Sequence, residues 1–533
     1  MKFKRILPVL GLLLLLNGSF FAQYKNIRIS KASSSDPEEV SIAINPVNPM
    51  NIAAGANINY YYFSKDGGLT WIEGRLSSAL GVWGDPSVTF DPFGNLFFGH
   101  LSRPQSNGYW IDRIVVQKSV DGGATWSNGV GIGYRPPQKE QDKEWLICDH
   151  TNSVNRGNVY MSWTEFDDYG SSNKRDSSRI LFSASDDQGL SWAEPITISD
   201  RCGDCIDDDN TVEGAVPAVG PDGEVYVSWS GPPGIMFDKS FDGGKTWGKD
   251  IFVNDQPGGW VFDIPGINRC NGLPVTVCDI SNSKYRGNIY INWSDQRNGI
   301  ENTDIFISKS PDGGTTWSAP IKVNDDKSNK NQFFTWASVD PITGVLYVVF
   351  YDRRNSTRFS DPLETDVYVA KSVDGGETFT NFKVSESSFI PNAVKFFGDY
   401  TNIAAYNGMV YPIWMRMDAN KLSIWTAIIN DNSTGCEQEE FELPEEFILL
   451  QNFPNPFNSD TIIKWQQPKA ANTMLRIYDA VGNKITTLVN EFKQPGNHSC
   501  KLNTDDLKLA SGIYFYQLIA GDYIETKKLI LLR

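Results

Sequence analysis

Ser64-Lys65-Asp66-Gly67-Gly68-Leu69-Thr70-Trp71 decides the fold, because its pattern Ser-x-Asp-x-Gly-x-x-Trp returns along the chain. It recurs at Ser119/Asp121/Gly123/Trp126, Ser185/Asp187/Gly189/Trp192, Ser240/Asp242/Gly244/Trp247 and Ser310/Asp312/Gly314/Trp317. A last copy, Ser372/Asp374/Gly376/Phe379, carries Phe in place of Trp. Each is the chemistry of a hairpin turn: the Asp accepts backbone N–H groups, Gly supplies positive φ, and the aromatic packs back under the loop. Six copies at spacings of 55–70 residues make a repeat architecture.

Working outward, each copy sits in the same surroundings. The fourth predicts strands at Ala215–Val219, Glu224–Trp229, Ile235–Lys239 and, after the box, Trp247–Val253. Four short antiparallel strands per repeat are a β-propeller blade. The boxes resemble the Asp-boxes, or BNR repeats, of sialidase-like propellers, and the resemblance covers residues 24 to about 430. Six boxes give six blades. Asn402–Tyr406, Gly408–Trp414 and Leu422–Ile428 add three strands without a box, and Asn26–Ser30 is a strand without a partner. Pairing them closes a seventh blade and leaves no open edge. Seven blades are expected, with six, the number in sialidases, as the alternative.

Composition agrees. Hydrophobic residues make up 40% and charged ones 21%, a globular balance, while 16 Trp, 46 Gly and 28 Pro suit short strands and tight turns. A net charge of -16 excludes a nucleic-acid partner, which needs a basic footprint. With only three His, a His-rich zinc site is excluded too.

The ends speak of export. Lys2, Lys4 and Arg5, the apolar run Ile6–Leu16 and the small residues up to Ala22 read as a secretory signal over 1–22, too short to span a bilayer. No later stretch is apolar enough to cross a membrane as a helix. From Phe447 a separate module begins, with Asn452-Phe453-Pro454-Asn455-Pro456-Phe457-Asn458, Leu475-Arg476-Ile477-Tyr478-Asp479, Ser511-Gly512-Ile513-Tyr514-Phe515-Tyr516 and Lys527-Lys528-Leu529. Its alternation predicts an Ig-like β-sandwich of about seven strands; a carbohydrate-binding sandwich is the alternative. These motifs resemble the type A C-terminal sorting domain of the type IX secretion system. The resemblance implies a Bacteroidota-like source, engagement of that machinery by 447–533, and a secreted or outer-membrane-surface protein. An acidic linker, 431–446, joins the two parts. Seven Cys in an oxidising compartment suggest local bridges, with Cys202/Cys205 and Cys270/Cys278 as the candidates.

Strand order assigns the faces. Box turns share one face with the first-to-second-strand turns. The second-to-third-strand loops and the connectors between blades lie on the other, and these are the long ones, such as Ser102–Trp110 and Thr164–Ser178. Arg103, Arg297, Arg353, Arg354, Arg358 and Arg416 fall there, as do Asp85, Asp142, Glu144, Glu213, Arg269, Asp399 and Tyr400. Sialidases hold a substrate carboxylate with three Arg and use a Tyr–Glu pair as nucleophile and an Asp as acid/base. The resemblance therefore points to Arg297, Arg353 and Arg416 as carboxylate holders, with Tyr400, Glu213 and Asp85 as catalytic candidates. Arg103 and Trp110 complete the candidate substrate site, Trp83, Trp145 and Trp260 being further loop aromatics that either stack on sugars or fill the core. The Arg-Ile-Pro expected on a sialidase's first strand is missing, the nearest match being Arg28-Ile29-Ser30 in the closing strand. Salt bridges between blades are the structural alternative for the Arg residues. The run Asp204, Asp207, Asp208, Asp209 suggests a structural calcium site, although its spacing is not that of an EF-hand. No cofactor is required. The expected function is action on, or binding of, an extracellular glycan or glycoprotein at the face opposite the boxes, with a non-catalytic glycan- or protein-binding propeller as the alternative.

Overall fold

The computed structural model describes residues 24–532 apart from 107, 137–138, 358–362, 432–445, 494–495, 505–506 and 508. The expected signal segment, nearly all of the acidic linker, Arg358 and Cys436 lie outside the described residues. The chain divides into two compact units, one holding most of the residues up to Asn430 and one holding Asp431–Arg533.

The first unit is an all-β propeller. Its described residues form seven antiparallel sheets built on four strands each. The fourth runs Glu213–Val219, Val225–Gly231, Gly234–Ser240 and Ile251–Asn254. Its last strand starts later than the sequence predicts, because Trp247 is spent on packing under the box. The first strand of each sheet lies innermost: Val40–Ile44, Ser87–Phe90, Glu140–Cys148, Glu213–Val219, Val275–Cys278, Gln332–Val339 and Asn402–Tyr406. These strands adjoin one another in cyclic order, and the seventh returns to the first. In the seventh sheet Asn26–Arg28 pairs with Trp425–Ala427, so the outermost strand comes from the start of the propeller and the rest from its end.

The boxes bind successive sheets together. In each, the Ser hydroxyl accepts the N–H of the box Gly, at 2.8 Å for Ser64 and 2.9 Å for Ser240, and donates to the Asp. The box aromatic then reaches the preceding sheet, where it meets the residue three before that sheet's own box Ser. Trp126 meets Tyr61 at 5.6 Å, Trp247 meets Phe182 at 4.8 Å and Trp317 meets Phe237 at 5.1 Å. Gly244 shows why glycine is needed: its φ is +85°, and a Cβ would stand 2.1 Å from the Phe182 ring. The recurring Trp163, Trp229, Trp293 and Trp414 on the second strands are fully buried between sheets.

The described residues of the second unit form a β-sandwich of seven strands. Ile448–Leu449, Asp460–Gln467 and Gly496–Asn503 form one sheet; Lys484–Lys493, Ala471–Tyr478, Gly512–Ala520 and Tyr523–Leu531 form the other. Period-two alternation along Asp460–Gln467 and Ala471–Tyr478 turns Ile463, Trp465, Leu475 and Ile477 into one core.

Cys202, Cys205, Cys270 and Cys278 are free thiols, which corrects the expected bridges. Cys270 precedes the Val275–Cys278 strand and Cys278 ends it. Between Cys202 and Cys205, Gly203 is pinned in a bridge to Ser178, leaving Cys202 exposed and Cys205 buried.

Candidate functional site

The face opposite the boxes converges on the heads of the innermost strands. Here the backbone turns left-handed at corresponding positions: Glu39 (φ 49°), Asp85 (52°), Lys143 (54°), Gly214 (75°) and Phe334 (49°). Bulges follow at Asp142/Trp145, Glu213/Val216 and Phe333/Trp336. A bulge re-aims side chains that a regular strand would send to alternate faces, and non-Gly residues in this region cost about 1–3 kcal/mol each. The result is a cluster of polar groups on the ring axis.

Its centre is an ion network. Lys143 Nζ lies 2.6 Å from Asp399 Oδ2 and 3.9 Å from Asp85 Oδ2. Arg269 Nε donates to Asp399 Oδ1 at 3.0 Å, its Nη2 to Asp399 Oδ2, and its Nη1 to Asp207 at 3.3 Å. Tyr169 donates to Asp207 at 2.6 Å, and the exposed Trp110 stands edge-on to Tyr169 with ring centroids 5.6 Å apart. Asn57 bridges Glu39 and the Asp85 N–H. Burial works against the charge of Asp399, yet Lys143 and Arg269 hold its carboxyl well below the usual range. The other acids go the opposite way. Burial first, then neighbouring negative charge, raises Asp142 and Glu38 to about 8 and pushes Glu39, Glu144 and Glu213 well above normal. Glu144 is 1% exposed, and among the described residues neither of its oxygens has a hydrogen-bond partner from another residue.

Of the catalytic candidates, Tyr400, Asp85 and Glu213 all come to this cluster. Tyr400 is buried against Trp145 and Trp336, and burial together with the charges of Asp85, Glu39, Glu144 and Asp399 raises its phenol well above normal. Its acidic neighbours include Glu39 and Glu144, whereas Glu213 is influenced by Asp207, Lys143 and Asp142. Trp145 and Trp336, 4.2 Å apart, join Tyr400 and Lys143 in lining a cavity of about 20 Å³, room for about one water. A sugar ring does not enter without moving these side chains.

The three Arg chosen as carboxylate holders are not brought together. Arg297 grips the fully buried Asp295 (Nη2–Oδ2 2.5 Å), and Arg416 pairs with Asp418 at 2.7 Å and donates to Ser387 O. Arg353 is buried, bonded to Thr365 and set over Phe333. Its neighbour Arg354, not Arg353, takes Asp352, and also Asp325 and Asn381. Among the described residues, Asp295, Asp352 and Asp418 each take an Arg two residues away, Arg297, Arg354 and Arg416.

The four Asp of the acidic run also separate. Asp204 accepts from Thr211, Asp207 from Tyr169 and Arg269, Asp208 from Asp209 N–H, and Asp209 from Val261 N–H. Among the described residues no three His, Cys, Asp or Glu side chains gather to hold a metal. The calcium expectation therefore finds no converging ligand set in this run.

Arg103 and Trp110 are both exposed. They share the 102–113 loop, braced by Ser102 Oγ to Asp112 (2.6 Å), the Arg113–Asp112 pair and the hydrogen bonds between Tyr109 and Lys139. Trp110 is 41% exposed. Trp145 and Trp260 are buried core, and Trp83 is half-buried.

Sequence reasoning missed Glu39, Lys143 and Trp336 as members of the axial cluster. The available signal was a charged or aromatic residue just before or within the head of several first strands, as in Glu38-Glu39-Val40 and Asp142-Lys143-Glu144-Trp145.

Residues 451–532 match the secretion system C-terminal sorting domain. The sorting domain marks type IX export to the cell surface or the medium. No curated protein matches the chain. Among solved structures, the NanB sialidase of Streptococcus pneumoniae in complex with 2-[(3-chlorobenzyl)ammonio]ethanesulfonate is 10% identical over 72% of this chain and 84% of its own (TM-score 0.42). YCF48 bound to D1 peptide is 12% identical over 78% and 98% (0.41). An ulvan lyase of a polysaccharide lyase family is 11% identical over 76% and 96% (0.44). These similarities are too distant to bear on activity.

Proposed function

We propose that this exported protein is a glycan-binding propeller whose ligand lies on the face opposite the boxes, across the 102–113 loop. The observation that carries the reading is Trp110: a large aromatic, 41% exposed, held edge-on to Tyr169 on a loop braced at both ends. A broad apolar ring with a polar edge, fixed before the ligand arrives, suits a sugar face and loses little entropy on binding. Glycan-array binding of the exported chain and of Trp110→Ala tests it. The variant should lose binding with an unchanged melting temperature, and unchanged binding would remove the loop from the site.

Hydrolysis at the axis is the second reading, favoured by the placing of Tyr400 among Asp85, Glu39 and Glu144. It requires the Trp145–Trp336 lining to open. Turnover of fluorogenic glycosides that disappears in Tyr400→Phe would support it, and turnover indifferent to that change would end it.

A further inference from the structure

We infer that the groove beside Trp83 is a subsite for the acidic group of a glycan, a carboxylate or a sulfate ester, held by Arg103. This deepens the glycan-binding reading above and rests on it. The groove has a volume of about 720 Å³ and is lined by Ile58, Ala79, Val82, Trp83, Arg103 and Gln105. All of these come from connectors or second-to-third-strand loops of the first two sheets, so the groove opens on the same face as Trp110.

Arg103 is fixed twice over. Its backbone is zipped to the preceding connector by three hydrogen bonds: Arg103 N–H to Leu80 O (3.2 Å), Trp83 N–H to Leu101 O (2.9 Å) and Leu101 N–H to Gly84 O (3.0 Å). Gly81 permits the approach, for at φ +75° a Cβ there would stand 2.0 Å from Arg103 O. The guanidinium lies 4.0 Å above the Trp83 ring. Stacking holds its plane while leaving the N–H fork open, and that fork matches a carboxylate or sulfate with paired hydrogen bonds.

Arg103 makes no ion pair among the described residues. This contrasts with its neighbours on the same face, where Arg113 is taken by Asp112, Arg179 by Glu165 and Asp167, Arg269 by Asp399, Arg297 by Asp295 and Arg354 by Asp352. In a chain of net charge -16, a rigid guanidinium kept clear of carboxylates is a recognition element for an anion brought from outside. The exposed Gln105 amide, which likewise makes no hydrogen bond among the described residues, offers a donor and an acceptor beside it for a sugar hydroxyl.

Calorimetric titration of the full exported chain with four probes tests the assignment: oligogalacturonate, its methyl ester, a sulfated agaro-oligosaccharide and the unsulfated parent. The wild type should bind at least one acidic probe about tenfold or more tighter than its neutral counterpart, as a charge-assisted pair implies. The acidic probe that gains identifies carboxylate or sulfate as the group. Arg103→Gln should erase that preference, whereas Trp110→Ala should weaken acidic and neutral probes alike and leave the preference in place. Neutral binding without an acidic preference, or a preference that survives Arg103→Gln, overturns the subsite and leaves the glycan-binding reading standing. Failure of all four probes to bind the wild type brings down both.

Discussion

The ammonium of Lys143 and the carboxylate of Asp399 lie 2.6 Å apart, although Lys143 belongs to the third sheet and Asp399 leads into the seventh. Those sheets are not neighbours, so the pair spans the ring rather than joining adjacent blades. Trp145 and Trp336 do the same from the third and sixth sheets. The axis is thus filled by contacts between opposite sides, and the mouth is a locked centre with recognition elements at its rim.

Lys143→Met should destabilise the propeller by about 3–5 kcal/mol, the usual cost of leaving a buried carboxylate with part of its compensation removed. Urea denaturation of the variant measures it. Equal stability would mean that Arg269 alone suffices for Asp399.

Stability should fall as pH rises from about 5 to 8. Asp142 and Glu38 have native values raised to about 8, against roughly 4 in the unfolded chain. Between those limits the folded state holds protons that the unfolded state has released, so unfolding is favoured as pH increases. Asp399 is shifted the other way and loses its contribution only below the unfolded value, outside this window. Asp142→Asn should flatten the profile and gain most over wild type near pH 8. A flat wild-type profile in urea titrations across this range would contradict the assignment.

Gly244→Ala should cost more than Gly313→Ala in chemical denaturation. Both have positive φ, worth about 1–2 kcal/mol against Ala, but a Cβ at Gly313 meets nothing within 4 Å while one at Gly244 strikes Phe182. The packing clash adds about 1–3 kcal/mol.

Arg297→Ala should lower the melting temperature and leave glycan binding untouched, since its fork neutralises the fully buried Asp295. Loss of binding at unchanged stability would return Arg297 to the ligand site.

Removing residues from Phe447 onward should leave a folded propeller that accumulates in the periplasm, because the sorting domain has its own core. Normal levels of truncated chain in the medium would contradict this.

The boxes were legible because their chemistry is local: Ser, Asp and Gly bond within five residues, so spacing alone reveals them. The Asn26–Arg28 strand could be inferred from an imbalance of unpaired edges. The axial cluster could not. Lys143 sits between two acids in a stretch that reads as a solvated charge run, and only the bulge and the ring geometry turn it toward Asp399. The Arg selection failed for the converse reason, since position along a strand cannot tell a free guanidinium from one claimed by an Asp two residues away, as in Arg297 and Arg416.

The pairing of Asn26 with Ala427 sets the order in which this molecule can acquire its shape. A contact between residues about four hundred positions apart carries a heavy loop-closure entropy and cannot form until almost the entire propeller has emerged. Whatever the first sheets achieve beforehand, the seventh is represented only by Asn26–Arg28 until its remaining strands emerge, with unpaired edges open to chaperones or to another chain. Completion is therefore a late event, and a chain interrupted anywhere before Trp425 is left with an unclosed ring.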